Sequence, residues 1–144
     1  VSAPPTPQQL KRSLVEAGFE VFRTRGDEVV LAERPRENLI MDSGVRIRAG
    51  EPLQVRIVLR AEKHDFPHEE DAHVFDRVRK LAAAAVEAGY VEVQATTSNV
   101  TDPGDKERTL DVFYEILYAK DAASLEAAIA ELKFAMTLEK RTAA

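Results

Sequence analysis

The stretch 65–89, DFPHEEDAHVFDRVRKLAAAAVEAG, constrains this chain more than any other. Apolar residues recur through it at three- and four-residue steps: Val74, Val78, Leu81, Ala82 and Ala85, with Phe75 and Val86 widening the stripe. That period belongs to a helix with one face in a core. Asp65 is a candidate N-cap, Pro67 fits a first turn, and Glu69, Glu70 and Asp71 put negative charge at the positive end of the helix dipole. Gly89 is the expected stop. The spacing therefore predicts one long helix over 65–89 between two β-rich halves. Ala82 to Ala85 make part of its surface small, which serves either helix propensity or the close approach of another backbone.

Local signals place the other elements. Val1 to Pro5 reads as a mobile arm. Thr6-Pro7-Gln8-Gln9 is a capping box with proline at the first helical position, and it opens a helix with Leu10, Leu14, Val15 and Ala17 as its apolar side and Gly18 as its end. Phe19 to Arg23 and Glu28 to Ala32 flank the turn Arg25-Gly26-Asp27, a predicted hairpin, and Arg34-Pro35-Arg36 breaks the pattern after it. Asn38 to Met41 and Val45 to Arg48 flank Asp42-Ser43-Gly44, a second predicted turn, and Ala49-Gly50-Glu51-Pro52 is a third. Leu53 to Glu62 alternates cleanly, with Leu53, Val55, Ile57, Leu59 and Ala61 on the buried face of a strand.

After the long helix, Tyr90 to Thr97 is expected as a strand with Val91, Val93 and Ala95 inward, and Ser98 to Arg108 as a polar loop around Asp102-Pro103-Gly104-Asp105. Thr109 to Tyr118 is the last expected strand. Leu110, Val112, Tyr114, Ile116 and Tyr118 face one way, while Asp111, Phe113, Glu115 and Leu117 face the other. Asp121 is expected to cap a final helix running to about Arg141, with Leu125, Ile129, Leu132 and Met136 in its core stripe and Phe134 and Leu138 on another side. The order α-β(3–5)-α-β-β-α, helices packed on one face of an antiparallel sheet, predicts a single α+β domain over 1–144.

The composition narrows the partners. A net charge of −5 disfavours nucleic acid and anionic membranes, and the absence of cysteine excludes disulfide and thiolate chemistry. No apolar run is long enough for a membrane helix, so a cytoplasmic location is expected. The serines Ser13, Ser43, Ser98 and Ser124 lack a nucleophile context, and no glycine-rich phosphate loop exists. No catalytic residue and no cofactor is expected.

The densest set of potential metal ligands is His64, His68 and His73 with Asp65, Glu69, Glu70 and Asp71. On a helix His68 and His73 diverge, and the acids suit a helix start, so the spacing argues against a shared metal site there. A small enzyme or a metal or ligand sensor around the histidines is the alternative function. Arg46, Arg48, Arg56 and Arg60 offer a basic face for an anion. Cross-strand pairing with Asp111, Glu115 and Glu92 is the favoured use of those arginines.

Element order carries a family resemblance across 6–141. Its closest local likeness is Val112-Phe113-Tyr114-Glu115-Ile116-Leu117-Tyr118-Ala119-Lys120-Asp121, a strand with a short acidic junction into the terminal helix. The chain resembles type III secretion chaperones of the effector-binding class and the related YbjN-like proteins. The resemblance implies a non-enzymatic homodimer that binds an extended segment of a partner protein, with the middle helix and neighbouring strands building the dimer. It gives a use to Ala82, Ala83 and Ala84 as a close-approach surface, and to Phe113, Leu117, Phe134 and Leu138 as exposed apolar contacts.

Overall fold

The computed structural model describes residues 4–142. They form an α+β fold. In chain order its elements are α1 (Pro7–Glu16), β1 (Val21–Arg25), β2 (Glu28–Arg36), β3 (Leu39–Arg48), β4 (Leu53–Glu62), a 3-10 turn (Lys63–Asp65), α2 (Asp71–Leu81), α3 (Ala83–Glu87), β5 (Val91–Asp102), β6 (Asp105–Ala122), α4 (Leu125–Met136) and β7 (Arg141–Thr142). The strands hydrogen-bond in the order β1-β2-β3-β4-β6-β5, and the short β7 runs parallel beside β4. Of the predicted N-terminal arm, Val1, Ser2 and Ala3 lie outside the described residues. The chain divides into two compact units, one within Val1–Ile57 and Ala119–Leu138, the other within Val58–Tyr118 and Glu139–Ala144.

In the first unit, α1 starts as its sequence dictates. The Thr6 hydroxyl accepts the Gln9 N–H at 3.2 Å, and the Gln9 side chain accepts the Thr6 N–H at 2.9 Å. Leu10 and Leu14 are buried, whereas Val15 is left exposed. The β1–β2 hairpin turns at Gly26-Asp27, with Gly26 at φ +60°, a conformation that costs glycine nothing. Here β2 runs on through Pro35 to Arg36, where a break was expected. The β2–β3 register shifts between Glu33 and Arg36, and a proline is tolerated at such an irregularity.

Asp42-Ser43-Gly44 is not a turn but a bulge inside β3. Val30 pairs with Arg46 and Ala32 with Asp42, so β3 carries extra residues against β2. The Asp42 carboxylate accepts the Gly44 N–H at 2.7 Å; the Ser43 hydroxyl donates to the Leu31 carbonyl at 2.7 Å and accepts the Val45 N–H at 3.1 Å. Those bonds satisfy the backbone groups that the bulge takes out of the ladder. Chain reversal comes instead at Glu37-Asn38. The final helix α4 is capped by Ser124, whose side chain accepts the Ala127 N–H at 3.1 Å. The expected cap, Asp121, still belongs to β6 and accepts from Gln54 at 3.0 Å. Ala128, Leu132 and Ala135 form the buried line of α4, and Leu125, Ile129 and Met136 flank it half-buried. The helix ends at Met136, short of Arg141.

In the second unit the predicted long helix begins later and is pinched. A cap at Asp65 would make Phe66 the first helical residue, and a residue before proline is disfavoured in helical φ/ψ. Phe66 sits at φ −135°, ψ 57° and is buried, while α2 starts at Asp71 with Glu70 as its N-cap residue. Arg77 pins the intervening turn by a fork onto Glu69 at 2.8–3.1 Å and stacks over Phe66 at 4.4 Å. Ala82 separates α2 from α3, yet helical bonds still cross it, from Ala82 N–H to Val78 at 3.0 Å and from Val86 N–H to Ala82 at 2.9 Å. Val74, Val78, Ala82 and Ala85 are the buried line; Val86 is exposed. Tyr114 of β6 binds the helix start, its hydroxyl donating to Asp71 at 2.7 Å and its ring meeting Phe75 edge-on at 5.3 Å.

The predicted polar loop 98–108 is strand. β5 and β6 continue to a two-residue turn at Pro103-Gly104, where Asp102 accepts the Gly104 N–H at 2.8 Å. Val91, Val93 and Ala95 do not face inward; Val91 is 65% and Val93 55% exposed. On β6, Tyr114, Ile116 and Tyr118 are buried as expected, and Leu110 is exposed. The alternation of β4 holds throughout, with Leu53, Val55, Ile57, Leu59 and Ala61 all buried. No helix among the described residues is long and apolar enough to cross a membrane.

Candidate functional site

The densest chemistry lies in the second unit, where β4 ends and the 3-10 turn begins. Glu62 is the last residue of β4 and keeps only 9% of its surface. The tight turn that follows brings His64 and Asp65 back onto it. His64 Nε2 lies 3.5 Å from Glu62 Oε2 and 3.2 Å from Asp65 Oδ1. These groups form a compact set of donors, with their ligand atoms all within 4.8 Å of one another. From β6, Asp111 grips His64 twice, accepting its backbone N–H at 3.1 Å on Oδ1 and meeting ring Nδ1 at 2.6 Å through Oδ2. Asp111 Oδ1 also accepts the Val112 N–H at 2.8 Å.

Two guanidiniums flank the far oxygen of Glu62. Arg60 NH1 stands 4.0 Å and Arg141 NH1 3.7 Å from Oε1. Lys63 turns away, donating to the Glu69 carbonyl at 2.8 Å. The hydrogen bond to Asp111 raises the His64 pKa above its usual 6.5; desolvation opposes this, and the charges of Asp65, Asp111 and Glu62 add to it. Burial pushes the Asp111 carboxyl up, but bonds from the His64 ring, the Val112 N–H and the His64 N–H outweigh it and hold the pKa low.

His68 and His73 take no part. His68 lies exposed in the turn before α2, and His73 is exposed on its first turn. The expected partners of the arginines are redistributed. Arg60 does reach Glu115, at 3.8 Å, and covers the Phe113 ring at 4.5 Å. Asp111 goes to His64, and Glu92 is held by a fork from Arg79 at 2.9 and 3.2 Å. In the first unit Arg46 pairs with Asp42 at 2.8 Å and Glu28 at 3.6 Å, and Arg56 with Glu28 at 3.4 Å. Arg48 lies opposite Gln54. Acids close to hand thus answer the charge of Arg46 and Arg56.

A second feature of the same unit is a cleft of about 530 Å³ between the end of α3 and the start of β5. Arg79, Val86, Gly89, Tyr90, Val91, Glu92 and Tyr118 line it. Burial, then the negative charge of Glu92, raises the Tyr118 pKa. Of the residues expected at an interface, Ala83 and Ala84 are exposed on α3, while Ala82 is fully buried within the chain. Phe113 and Leu117 are half-buried on β6. Phe134 on α4 and Leu138 beyond it are half-buried in the first unit.

Sequence reasoning singled out His64 and Asp65 but did not join Glu62 or Asp111 to them. Glu62 reads as the outward end of an alternating strand, and Asp111 is 47 positions away from His64, so no local signal joins them. No protein-family model, curated protein or solved structure matches this chain.

Proposed function

We propose that this chain is a non-enzymatic protein-binding module. It acts as a homodimer and takes an extended segment of a partner protein, in the manner of the type III secretion chaperones and YbjN-like proteins whose element order it resembles. The observation that carries the reading is β5. This strand ends the hydrogen-bonded order, so one side of its backbone has no strand partner among the described residues. Its residues are exposed over nearly all of its length, and from Gln94 to Thr101 none is charged and none is proline. Proteins ordinarily blunt such an edge with charge, proline or a covering element. An uncharged edge without a strand partner suits the addition of another strand, whose main-chain hydrogen bonds supply affinity.

The surroundings favour the same use. Val91 and Val93 are exposed at the start of β5, and Ala83, Ala84 and Val86 are exposed on α3. Covering the two β5 valines contributes about 1–2 kcal/mol each by area. The contact therefore falls on α3 and β5. Phe113, already under the Arg60 guanidinium, is not needed for it. A chain without cysteine suits the reducing cytoplasm.

Neighbouring residues of a strand send their N–H groups to opposite edges. Of Thr97→Pro and Ser98→Pro, one therefore disturbs pairing with β6 and the other blocks only the open edge. Light scattering at micromolar concentration should give a dimer mass for the parent. A monomer mass should follow for the proline variant that melts like the parent, and for Ala83→Arg. A monomeric parent, or a dimer indifferent to all three substitutions, overturns the reading.

A further inference from the structure

We infer that Glu62, His64 and Asp65 bind one divalent transition-metal ion, with Asp111 holding the His64 ring in the metal-binding tautomer. The inference is independent of the partner-binding reading, because none of these residues lies on α3 or β5.

Donor spacing is the first argument. Zinc bound by nitrogen and oxygen at about 2.0–2.2 Å in a tetrahedron separates its donors by about 3.3–3.5 Å. His64 Nε2 stands 3.5 Å from Glu62 Oε2 and 3.2 Å from Asp65 Oδ1. Both pairs that include the imidazole nitrogen are therefore at the spacing of a shared ion, and the three donor atoms lie within 4.8 Å of one another. One imidazole and two carboxylates make a mixed nitrogen–oxygen set that suits zinc and manganese better than the soft, thiolate-seeking ions.

Orientation is the second argument. A metal-binding histidine usually gives its other ring N–H to a carboxylate, which fixes the tautomer and aims the free nitrogen. Asp111 Oδ2 does this to Nδ1 at 2.6 Å. Asp111 cannot swivel freely, because its Oδ1 is held by the backbone N–H groups of His64 and Val112. Glu62 is oriented too: Arg60 and Arg141 approach Oε1, leaving Oε2 toward His64. Side-chain exposure of 60% gives His64 an open approach for an ion and its remaining waters.

Asp111→Asn provides a selective perturbation. The amide oxygen stays on the two backbone N–H groups, so the NH₂ is turned toward Nδ1. A donor there forces the ring proton onto Nε2, the nitrogen the ion needs. Asp111 is thus a positioning residue, not a ligand.

The experiment is titration calorimetry of the full chain with zinc chloride, and with manganese chloride in a second series. One ion per chain is expected for the parent and for His68→Ala and His73→Ala. Binding should be abolished in His64→Ala and in Asp65→Asn, and weakened roughly 10–100-fold in Asp111→Asn. Circular dichroism confirms that each variant keeps its fold. Nitrogen-15 NMR of the zinc-free chains at a pH where His64 is neutral should show the ring proton on Nδ1 in the parent and on Nε2 in Asp111→Asn, a change of tautomer that an Asp111 without a positioning role would not produce. The inference falls if the parent binds neither ion stoichiometrically. It falls equally if binding survives His64→Ala, or disappears in His68→Ala or His73→Ala.

Discussion

Replacing Tyr114 with phenylalanine removes one oxygen from a buried side chain and tests what holds α2 to β6. Tyr114 is 2% exposed, and its hydroxyl donates to the Asp71 carboxylate at 2.7 Å. The ring meets Phe75 with centroids 5.3 Å apart and planes at 85°, a contact that phenylalanine keeps. Only the hydrogen bond is lost. Bonds to charged groups contribute about 1.5–3 kcal/mol, and Asp71, being exposed, regains water when the hydroxyl goes. The lower end applies, so the expected loss is about 1.5 kcal/mol. At about 2–4 °C per kcal/mol for a chain of this size, the melting temperature should fall by about 3–6 °C. A double-mutant cycle with Asp71→Ala, which removes the acceptor, separates the bond from any effect of Asp71 on the helix dipole, and a coupling of about 1 kcal/mol is expected. A Tyr114→Phe variant as stable as the parent, or a coupling near zero, would refute the role assigned to this pair.

The same hydroxyl sets an alkaline limit. Burial first, then the bond to Asp71, pushes the Tyr114 pKa from 10.0 up to about 12. The folded chain therefore holds the phenol proton more tightly than the unfolded one. The stability this group contributes is full below pH 10 and is lost as the pH rises through about 12. Urea midpoints measured across that window should fall less steeply for Tyr114→Phe than for the parent; equal slopes would contradict the assignment. At the other end of the chain, Thr6→Ala removes the hydroxyl that accepts the Gln9 N–H and should cost about 1 kcal/mol in a thermal melt, while Thr6→Ser should cost little. An unchanged Thr6→Ala melt would mean that the first turn of α1 does not contribute to the cooperative fold.

What the sequence determined by itself is whatever neighbouring residues settle between them. The Thr6–Gln9 box opens α1, Gly26 supplies the hairpin turn, and alternation from Leu53 to Ala61 buries one face of β4. Each rests on contacts or dihedrals within a few positions, and the α+β class follows from the order of such signals. The start of α2 was not among them: Pro67 disfavours helix at Phe66 but still fits a first turn, and no local signal moves the start on to Asp71.

Tertiary structure decided what one strand or helix leaves open. Asp42, Ser43 and Gly44 make side-chain bonds that serve a turn or a bulge equally well, and β2 running alongside selects the bulge. Alternation at Val91, Val93 and Ala95 marks an apolar side but does not say whether anything covers it, and at the sheet edge nothing among the described residues does. Asp111 meets His64 because β6 is the sheet neighbour of β4, whereas His68 and His73, far nearer in sequence, are not in the cluster. Periodicity records which way a side chain points along its own element; only packing between elements decides which groups meet.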